Sequence, residues 1–389
     1  MKKQEMNSVI DQMKNSLVEL GDFIHDHPEL GNQEVLAHKA ITDFLEKNGF
    51  VVEREILGLK TAFRATCNVA GGGPKIGLMC EYDAIDIGHG HGHNIQAPSV
   101  CGAAIALARC LDILGTIIVY GTPAEETASS KVPMTKAGIF DELDIALMMQ
   151  PGDCTMVDEK TLALNLINFF FEGKAAHAAS APEKGISALD AVLMMFNGME
   201  YLREHVRSDV RFHGIITDGG KAANIVPEKA SAQFYVRAKD RLHLDTVVER
   251  VYDVARGAAL ATGAKLTIQE AKAYDNKTNI ESLNRLLLEN ARAAGAENIS
   301  PQKKVASADF SSVTSRVPAA CLRVAFIPQD TASHSMAWVN AAKSEAGHEA
   351  ILVGAKALAG SCHELFSNPD LMREIKQEFK VALEEDSDG

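Results

Sequence analysis

The sequence predicts an α/β chain: a central, mostly parallel sheet flanked by helices, with a ferredoxin-like domain inserted into it. Three observations carry this expectation. Continuously apolar runs begin at Ile76, Ile117 and Asp144 with helical segments between them, the pattern of strands buried on both faces. Between Ala163 and Glu270 the elements follow the order β-α-β-β-α-β, the ferredoxin-like pattern. Polar motifs recur just after the apolar runs, and open α/β sheets bind their ligands beyond the carboxyl ends of the strands.

Each element has its own signal. Val9, Ile10, Met13, Leu17, Leu20, Phe23 and Ile24 fall on a helical period. After the turn HDHPELGNQE a second helix carries Ile41, Phe44 and Leu45 and stops at Asn48-Gly49, a C-cap signal. Strands are expected near Val51, Phe63, Ile76, Ile117 and Asp144. In the inserted segment a strand at Ala163–Glu172 precedes a helix from Lys184 to His205. Strands at Arg211–Thr217 and Ala230–Ala238 follow, then a helix at His243–Ala261 and a strand at Lys265–Glu270. Ala232, Phe234 and Val236 alternate with Ser231, Gln233 and Arg237, so one face of that strand is buried and the other is wet. SLNRLLLENARAAG, CLRVAFIP and EAGHEAILVGAKALAG then complete the first sheet, and the tail ALEEDSDG is expected to fray. Two domains result, one of residues 1–160 and 277–389 and one of residues 161–276.

At 389 residues, two cores are the natural expectation. A net charge of -13 excludes nucleic acid and an anionic membrane surface as partners. Seven cysteines without a C-x-x-C pair fit reduced thiols in a cytoplasm better than a disulfide framework. The most apolar long stretch, Gly102 to Tyr120, is interrupted by Arg109 and Asp112, so no membrane span is expected.

The chemistry concentrates in two loops. Gly88 to Asn94 reads GHGHGHN, three histidines alternating with glycines that let the backbone bend until neighbouring rings face one ion. The run TIIVYG ends in Pro123-Ala124-Glu125-Glu126. Imidazoles at one strand end and paired carboxylates at another suggest a hydrolytic metal site, which needs ligands, an open position and a base. Glu126 would bind metal while Glu125 takes a proton from water. The bland alternative is solvated surface histidines and glutamates. His334 in DTASHSMAW and His177 in FFEGKAAHAAS are weak candidates on their own. His25, His27, His205, His213, His243, His348 and His363 are taken as structural or surface residues.

Taken in order, these motifs match a known family. IHDHPELGNQE, EYDAI, GHGHGHN, GTPAEE, QPGD, GKAAHAAS with PEKGISALDA, ANIVPEKASAQFYVRA, SADFSSV and the ASH loop run nearly end to end. The chain resembles the co-catalytic metallopeptidases that include aminoacylase, carboxypeptidase G and the auxin-conjugate amidohydrolases. It looks closest to the branch of p-aminobenzoyl-glutamate hydrolase and β-alanyl-lysine dipeptidase. The resemblance implies metal-dependent hydrolysis of an amide in a small N-acyl amino acid, dipeptide or aminobenzoyl-glutamate-like substrate bearing a carboxylate. It implies a metal-binding catalytic domain and a lid that dimerises. By the same analogy Glu125 is the general base, and Glu126, His93 and His334 are ligands. His177 would reach a partner subunit's active site to stabilise the oxyanion, and Asn224 and Arg237 would hold the substrate carboxylate. A guanidinium fork suits a carboxylate.

Two positions depart from the family. Its cysteine is here His91, and its histidine before Pro-Gly is here Gln150. A thiolate bridges two ions, whereas a neutral imidazole offers one lone pair to one. An amide oxygen is a poorer ligand for zinc-like metals than imidazole. Three readings stay open: a rearranged pair of ions with His91 as terminal ligand; one ion held through His91 or His93 with Glu126 and His334; or lost metal and activity, leaving a protein that binds a small carboxylate. The expectation is a cytoplasmic homodimeric amidohydrolase using one or two ions of zinc, manganese, cobalt or nickel. His89 is not expected to be a ligand, and a metal-storage role does not account for the paired glutamates.

Overall fold

The computed structural model describes residues 2–69, 72–110, 112, 114–157, 160–301 and 307–388. Contacts divide the chain into two compact units, one of the residues up to Lys160 with Lys277–Glu384 and one holding Thr161–Asn276. The first runs through α1 (Lys2–Gln12), α2 (Lys14–Asp26), α3 (Val35–Lys47), β1 (Val51–Arg54), β2 (Phe63–Val69), β3 (Lys75–Cys80), α4 (His93–Cys110), β4 (Gly115–Gly121), α5 (Lys131–Lys136), β5 (Ile145–Gly152) and β6 (Met156–Val157). The second holds β7 (Ala163–Glu172), α6 (Ala188–Arg203), β8 (Arg211–Asp218), β9 (Lys229–Ala238), α7 (Arg241–Thr262) and β10 (Lys265–Tyr274). The chain returns to the first unit with α8 (Glu281–Ala293), α9 (Ser311–Thr314), β11 (Ala319–Ala325), α10 (Met336–Ala341), α11 (Glu345–Ser367) and α12 (Pro369–Asp388).

In the first unit the strand order is β1-β2-β4-β3-β5-β11-β6. The four inner strands β4, β3, β5 and β11 are parallel, and β1, β2 and β6 pair antiparallel at the edges. Every residue of β4 and β5 is buried, as strands covered on both faces must be. From β3 the chain steps to β4 on one side and later to β5 on the other. The switch point therefore lies at β3, the kind of place beyond whose carboxyl end open α/β sheets bind their ligands. The histidine loop leaves β3 at that place, and α4 starts within the loop at His93. All but two of the residues in α4 are buried, because the helix packs on the sheet and under α2 and α11.

The second unit is an antiparallel sheet of order β10-β7-β9-β8. With α6 and α7 it completes the expected β-α-β-β-α-β sequence. Ala230, Ala232, Phe234, Val236 and Ala238 of β9 are buried, and the residues between them are partly open. That alternation makes one face core and leaves the other polar.

The structure corrects several boundaries. The first helix is two, broken at Met13. Pro182–Lys184 forms a separate 3-10 turn, so α6 starts only at Ala188, where Ser187 accepts a hydrogen bond from the Asp190 N–H. The tail expected to fray is helical through Asp388. Gln150, expected beyond a strand end, sits within β5 and pairs in register with Arg323.

One expected outcome follows from this packing. Ile105 is fully buried in the core formed by α4. Replacing Ile105 with Ala should cost about 2–5 kcal/mol of unfolding free energy, read from urea denaturation of the purified chain.

Candidate metal centre

The site is assembled where four parallel strands stop. Just past β3, Glu81 and Asp83 point one way and Tyr82 the other, as alternate residues of extended chain do. The Tyr82 hydroxyl donates to the Thr61 carbonyl, leaving both carboxylates beyond the sheet and fully buried. A buried carboxylate needs donors, and Glu81 has several. Lys131 Nζ lies 2.5 Å from Glu81 Oε1 and 2.8 Å from Asp309 Oδ1, with Lys131 itself fully buried. Gln96 Nε2 donates to Glu81 Oε2 at 2.8 Å, and the Gln150 amide donates to the same oxygen. Burial opposes the charge on Glu81, but Lys131 and His93 outweigh it and hold the carboxyl below its ordinary range.

Asp83 orients two elements at once. Its Oδ1 lies 3.1 Å from His93 Nδ1, and its Oδ2 accepts the Glu126 N–H at 3.0 Å. His93 Nδ1 also meets the Asp83 carbonyl at 2.9 Å, which fixes the proton on Nδ1 and leaves the Nε2 lone pair for a ligand. Nε2 is buried without a hydrogen-bond partner, 3.3 Å from Glu81 Oε2. Burial disfavours the imidazolium, yet Asp83, Glu81 and Glu125 together push the affinity of His93 for a proton well above the ordinary range.

Glu126 gathers the other two imidazoles. His91 Nδ1 lies 2.8 Å from Glu126 Oε1, and His334 Nε2 lies 3.3 Å from the same oxygen. Burial would raise the Glu126 pKa, but the two histidines lower it far below the usual carboxylate range. His91 is shifted down by burial, and the Glu126 hydrogen bond shifts His334 up. His334 is held in a left-handed conformation, φ 57°, with its N–H on the Gly90 carbonyl at 3.0 Å. Gly92, at φ 79°, allows the turn between the rings, and a Cβ there would stand 2.6 Å from Pro151.

Candidate ligand atoms of His91, His93, Glu125 and Glu126 lie within 4.8 Å of one another. The set of imidazole and carboxylate donors, with the unpaired His93 Nε2 and a buried Gln150 Oε1 that also lacks a partner, fits a divalent cation. Glu125 stands apart in its electrostatics. Burial raises its pKa well above the ordinary value, and Glu81, Asp309 and Glu126 add like-charge repulsion.

His89 turns away. Its Nε2 meets the Ile24 carbonyl at 3.0 Å, and burial drops its pKa to about 3. In the second unit, exposed His177 accepts the Ala179 and Ser180 N–H groups at 3.3 Å. The Asn224 carbonyl accepts the Ala178 N–H at 3.0 Å, so His177 and Asn224 are neighbours. Arg237 lies at the far end of β9, opposite Leu164 rather than Glu172, with its guanidinium 5.4 Å from the Tyr235 ring centre. At about 3.3 Å per residue, roughly 25 Å of strand separates it from Lys229. Residue patterns gave no role to Glu34, Glu81, Asp83, Gln96, Lys131 or Asp309. Glu81 and Asp83 lie in EYDAI, Glu34 in HPELGNQE and Asp309 in SADFSSV, motifs that carry the resemblance without a role for these acids, whereas Gln96 and Lys131 carry no such signal.

Comparison with known proteins follows the same lines. A family model described as the peptidase dimerisation domain matches residues 163–262. The Xaa-Arg dipeptidase of Mus musculus is 33% identical, over 97% of this chain and 92% of its own. A p-aminobenzoyl-glutamate hydrolase chain of Escherichia coli (strain K12) is 29% identical, over 96% of this chain and 94% of its own. Among solved structures, an aminobenzoyl-glutamate utilization protein from Klebsiella pneumoniae superposes with a TM-score of 0.74 at 19% identity, covering 92% of this chain and 98% of that one. A dinuclear metal binding peptidase from the M20 family, from Bacillus subtilis, gives 0.70 at 18% identity, covering 92% and 99%. The resemblance drawn from the motifs is borne out.

Lys131 offers a direct check on the buried charges. Lys131→Met keeps the volume but leaves Glu81 and Asp309 without their shared cation. It should destabilise the chain by about 3–5 kcal/mol, measured by denaturant unfolding against the parent.

Proposed function

The chain belongs to the M20 family of metal-dependent peptidases and amidohydrolases, and from that premise we propose that it cleaves the amide of a small N-acyl amino acid, dipeptide or aminobenzoyl-glutamate-like substrate. The observation that carries this reading is the meeting of His91, His93 and His334 with Glu126, beside a glutamate of raised proton affinity. His91, Glu126 and His334 form one ligand group around Glu126 Oε1. His93, with Gln150 beside it on Glu81 Oε2, forms the adjoining one. One or two ions of zinc, manganese, cobalt or nickel suit these donors. A divalent cation there supplies Lewis acidity toward a carbonyl oxygen and toward water.

Glu125 is the general base. Its burial and the neighbouring Glu81, Asp309 and Glu126 raise its proton affinity well above the ordinary carboxylate range, as suits a group that takes a proton from water and later returns it. It accepts the proton of the attacking water and delivers it to the leaving amine. Asp83 fixes the His93 ring and the Glu126 backbone, so both carboxylates keep their positions through the cycle.

Recognition falls to the second unit. His177 and Asn224 sit at one end of β7 and β9, and Arg237 at the other. One small substrate cannot touch both ends of a single lid, so the proposal gives Arg237 the carboxylate from one subunit. His177 and Asn224 come from another, where His177 steadies the oxyanion. Edge strand β8 supports such pairing. Ile215 and Ile216 are exposed along it, with Tyr201 exposed on α6, whereas the opposite edge, β10, carries Lys265, Gln269, Glu270 and Lys272, the charged kind of edge that resists pairing. A reducing, cytoplasmic setting suits the seven cysteines, all free. No helix among the described residues is long and apolar enough to cross a membrane.

Two experiments follow. Protein loaded with each of the four metals is assayed against N-acyl amino acids and dipeptides. Glu125→Gln should lower kcat by about 10²–10⁴-fold while metal content by elemental analysis stays unchanged, and parental turnover no higher than the variant's with every metal rejects the reading. Ile215→Lys should convert the dimer to a monomer in light scattering. If the parent is already monomeric, the two-subunit arrangement is wrong.

A further inference from the structure

The turn that carries Glu125 and Glu126 is held in an unfavourable shape. Ala124, immediately before the pair, has φ 58°, a left-handed conformation that side chains other than glycine rarely adopt. Its carbonyl accepts the Ser129 N–H at 2.6 Å and the Thr127 N–H at 3.3 Å. Its N–H donates to Oε1 of Glu34 at 2.7 Å. Glu34 comes from the HPELGNQE segment, a stretch to which the chemistry above gives no part. Its side chain is fully buried, and its second oxygen, Oε2, accepts the Thr61 hydroxyl at 2.8 Å. The same segment presses on the turn at Gly31, where a Cβ would stand 2.8 Å from Ala124 Cα and Cβ.

We propose that Glu34 is a positioning residue for the amide-hydrolysing site: its buried carboxylate, braced by Thr61, pins the Ala124 N–H, keeps φ positive there and thereby aims Glu125 and Glu126. The physical case is one of competing conformers. Left to itself, Ala124 favours negative φ, which rotates the following peptide and redirects both glutamates. A buried acceptor fixed at its far oxygen makes that rotation costly, because the Ala124 N–H would lose its partner away from water. Asp83 holds the Glu126 N–H two residues later, so two acids clamp the turn at both ends of the Glu-Glu pair. The Glu34 side chain is sealed from solvent. It acts through the backbone.

This inference rests on the amidohydrolase reading, so the test carries readouts that do not need turnover. Glu34→Leu keeps the volume and removes both acceptors. With folding verified by thermal melting, it should lower kcat about 100-fold with KM nearly unchanged, the penalty of a misaimed catalytic group. It should also weaken Co²⁺ affinity in calorimetry and unprotect the Ala124 amide in hydrogen exchange. Glu34→Gln should behave like the parent, since its amide oxygen accepts from Ala124 while its NH₂ donates to Thr61. Glycine adopts positive φ freely, so Ala124→Gly placed on Glu34→Leu should recover part of kcat and of Co²⁺ affinity. A folded Glu34→Leu protein with parental kcat, Co²⁺ affinity and amide protection overturns the proposal, as does a double variant no better than the single. If Glu34→Leu does not fold, Thr61→Val removes only the brace; parental values there overturn it equally. Should the parent itself show no turnover, the functional reading fails, while calorimetry and exchange still decide the clamp.

Discussion

Six carboxylates crowd the space past the parallel strands, and the cost of burying them governs the rest of this structure. An ionised carboxylate leaves water only when donors replace the water it gives up. Glu81 and Asp309 share the ammonium of Lys131, which is itself sealed from solvent. Asp83 takes an imidazole and a backbone N–H, Glu34 takes a backbone N–H and a hydroxyl, and Glu126 takes two imidazoles. Around Glu125 the largest influences after burial are anions, and they raise its proton affinity. The chemistry assigned to each acid follows from which donors the fold placed beside it.

Much of the fold was legible because its signals are local. Continuous apolar runs at Ile76 and Ile117 marked strands covered on both faces. The alternation through Ala232, Phe234 and Val236 marked a strand with one wet face. The boundaries that failed are those set by distant packing or by a turn. Met13 splits one amphipathic stretch into two helices, and Pro182 diverts the chain into a 3-10 turn before α6 can begin. The acidic tail carries no apolar stripe near its end, yet α12 extends through it to Asp388 because nothing in the sequence breaks the helix.

The centre divides in a similar way. Alternating histidines and an adjacent pair of glutamates announce themselves, since their spacing is itself the signal. Lys131 and Asp309 do not. Each is a single residue whose partner lies 178 positions away, and a lone lysine in a polar stretch has surface exposure as its ordinary explanation. Glu34 is hidden for the same reason, 90 positions from the amide it holds. Burial converts such residues from surface charge to structural necessity, and burial is a property of the folded chain alone.

The two departures at positions 91 and 150 become intelligible in this light. A thiolate at 91 would add another anion to a cluster already rich in them, whereas His91 arrives neutral and is kept so by burial. An imidazole at 150 would have to share Glu81 with His93, whereas the Gln150 amide donates to Glu81 and leaves its oxygen facing inward without a partner. His91 therefore reduces the negative charge of the cluster, Gln150 leaves it unchanged, and both replace softer donors with harder or less basic ones. Glu126 remains the carboxylate on which two imidazoles, those of His91 and His334, already meet.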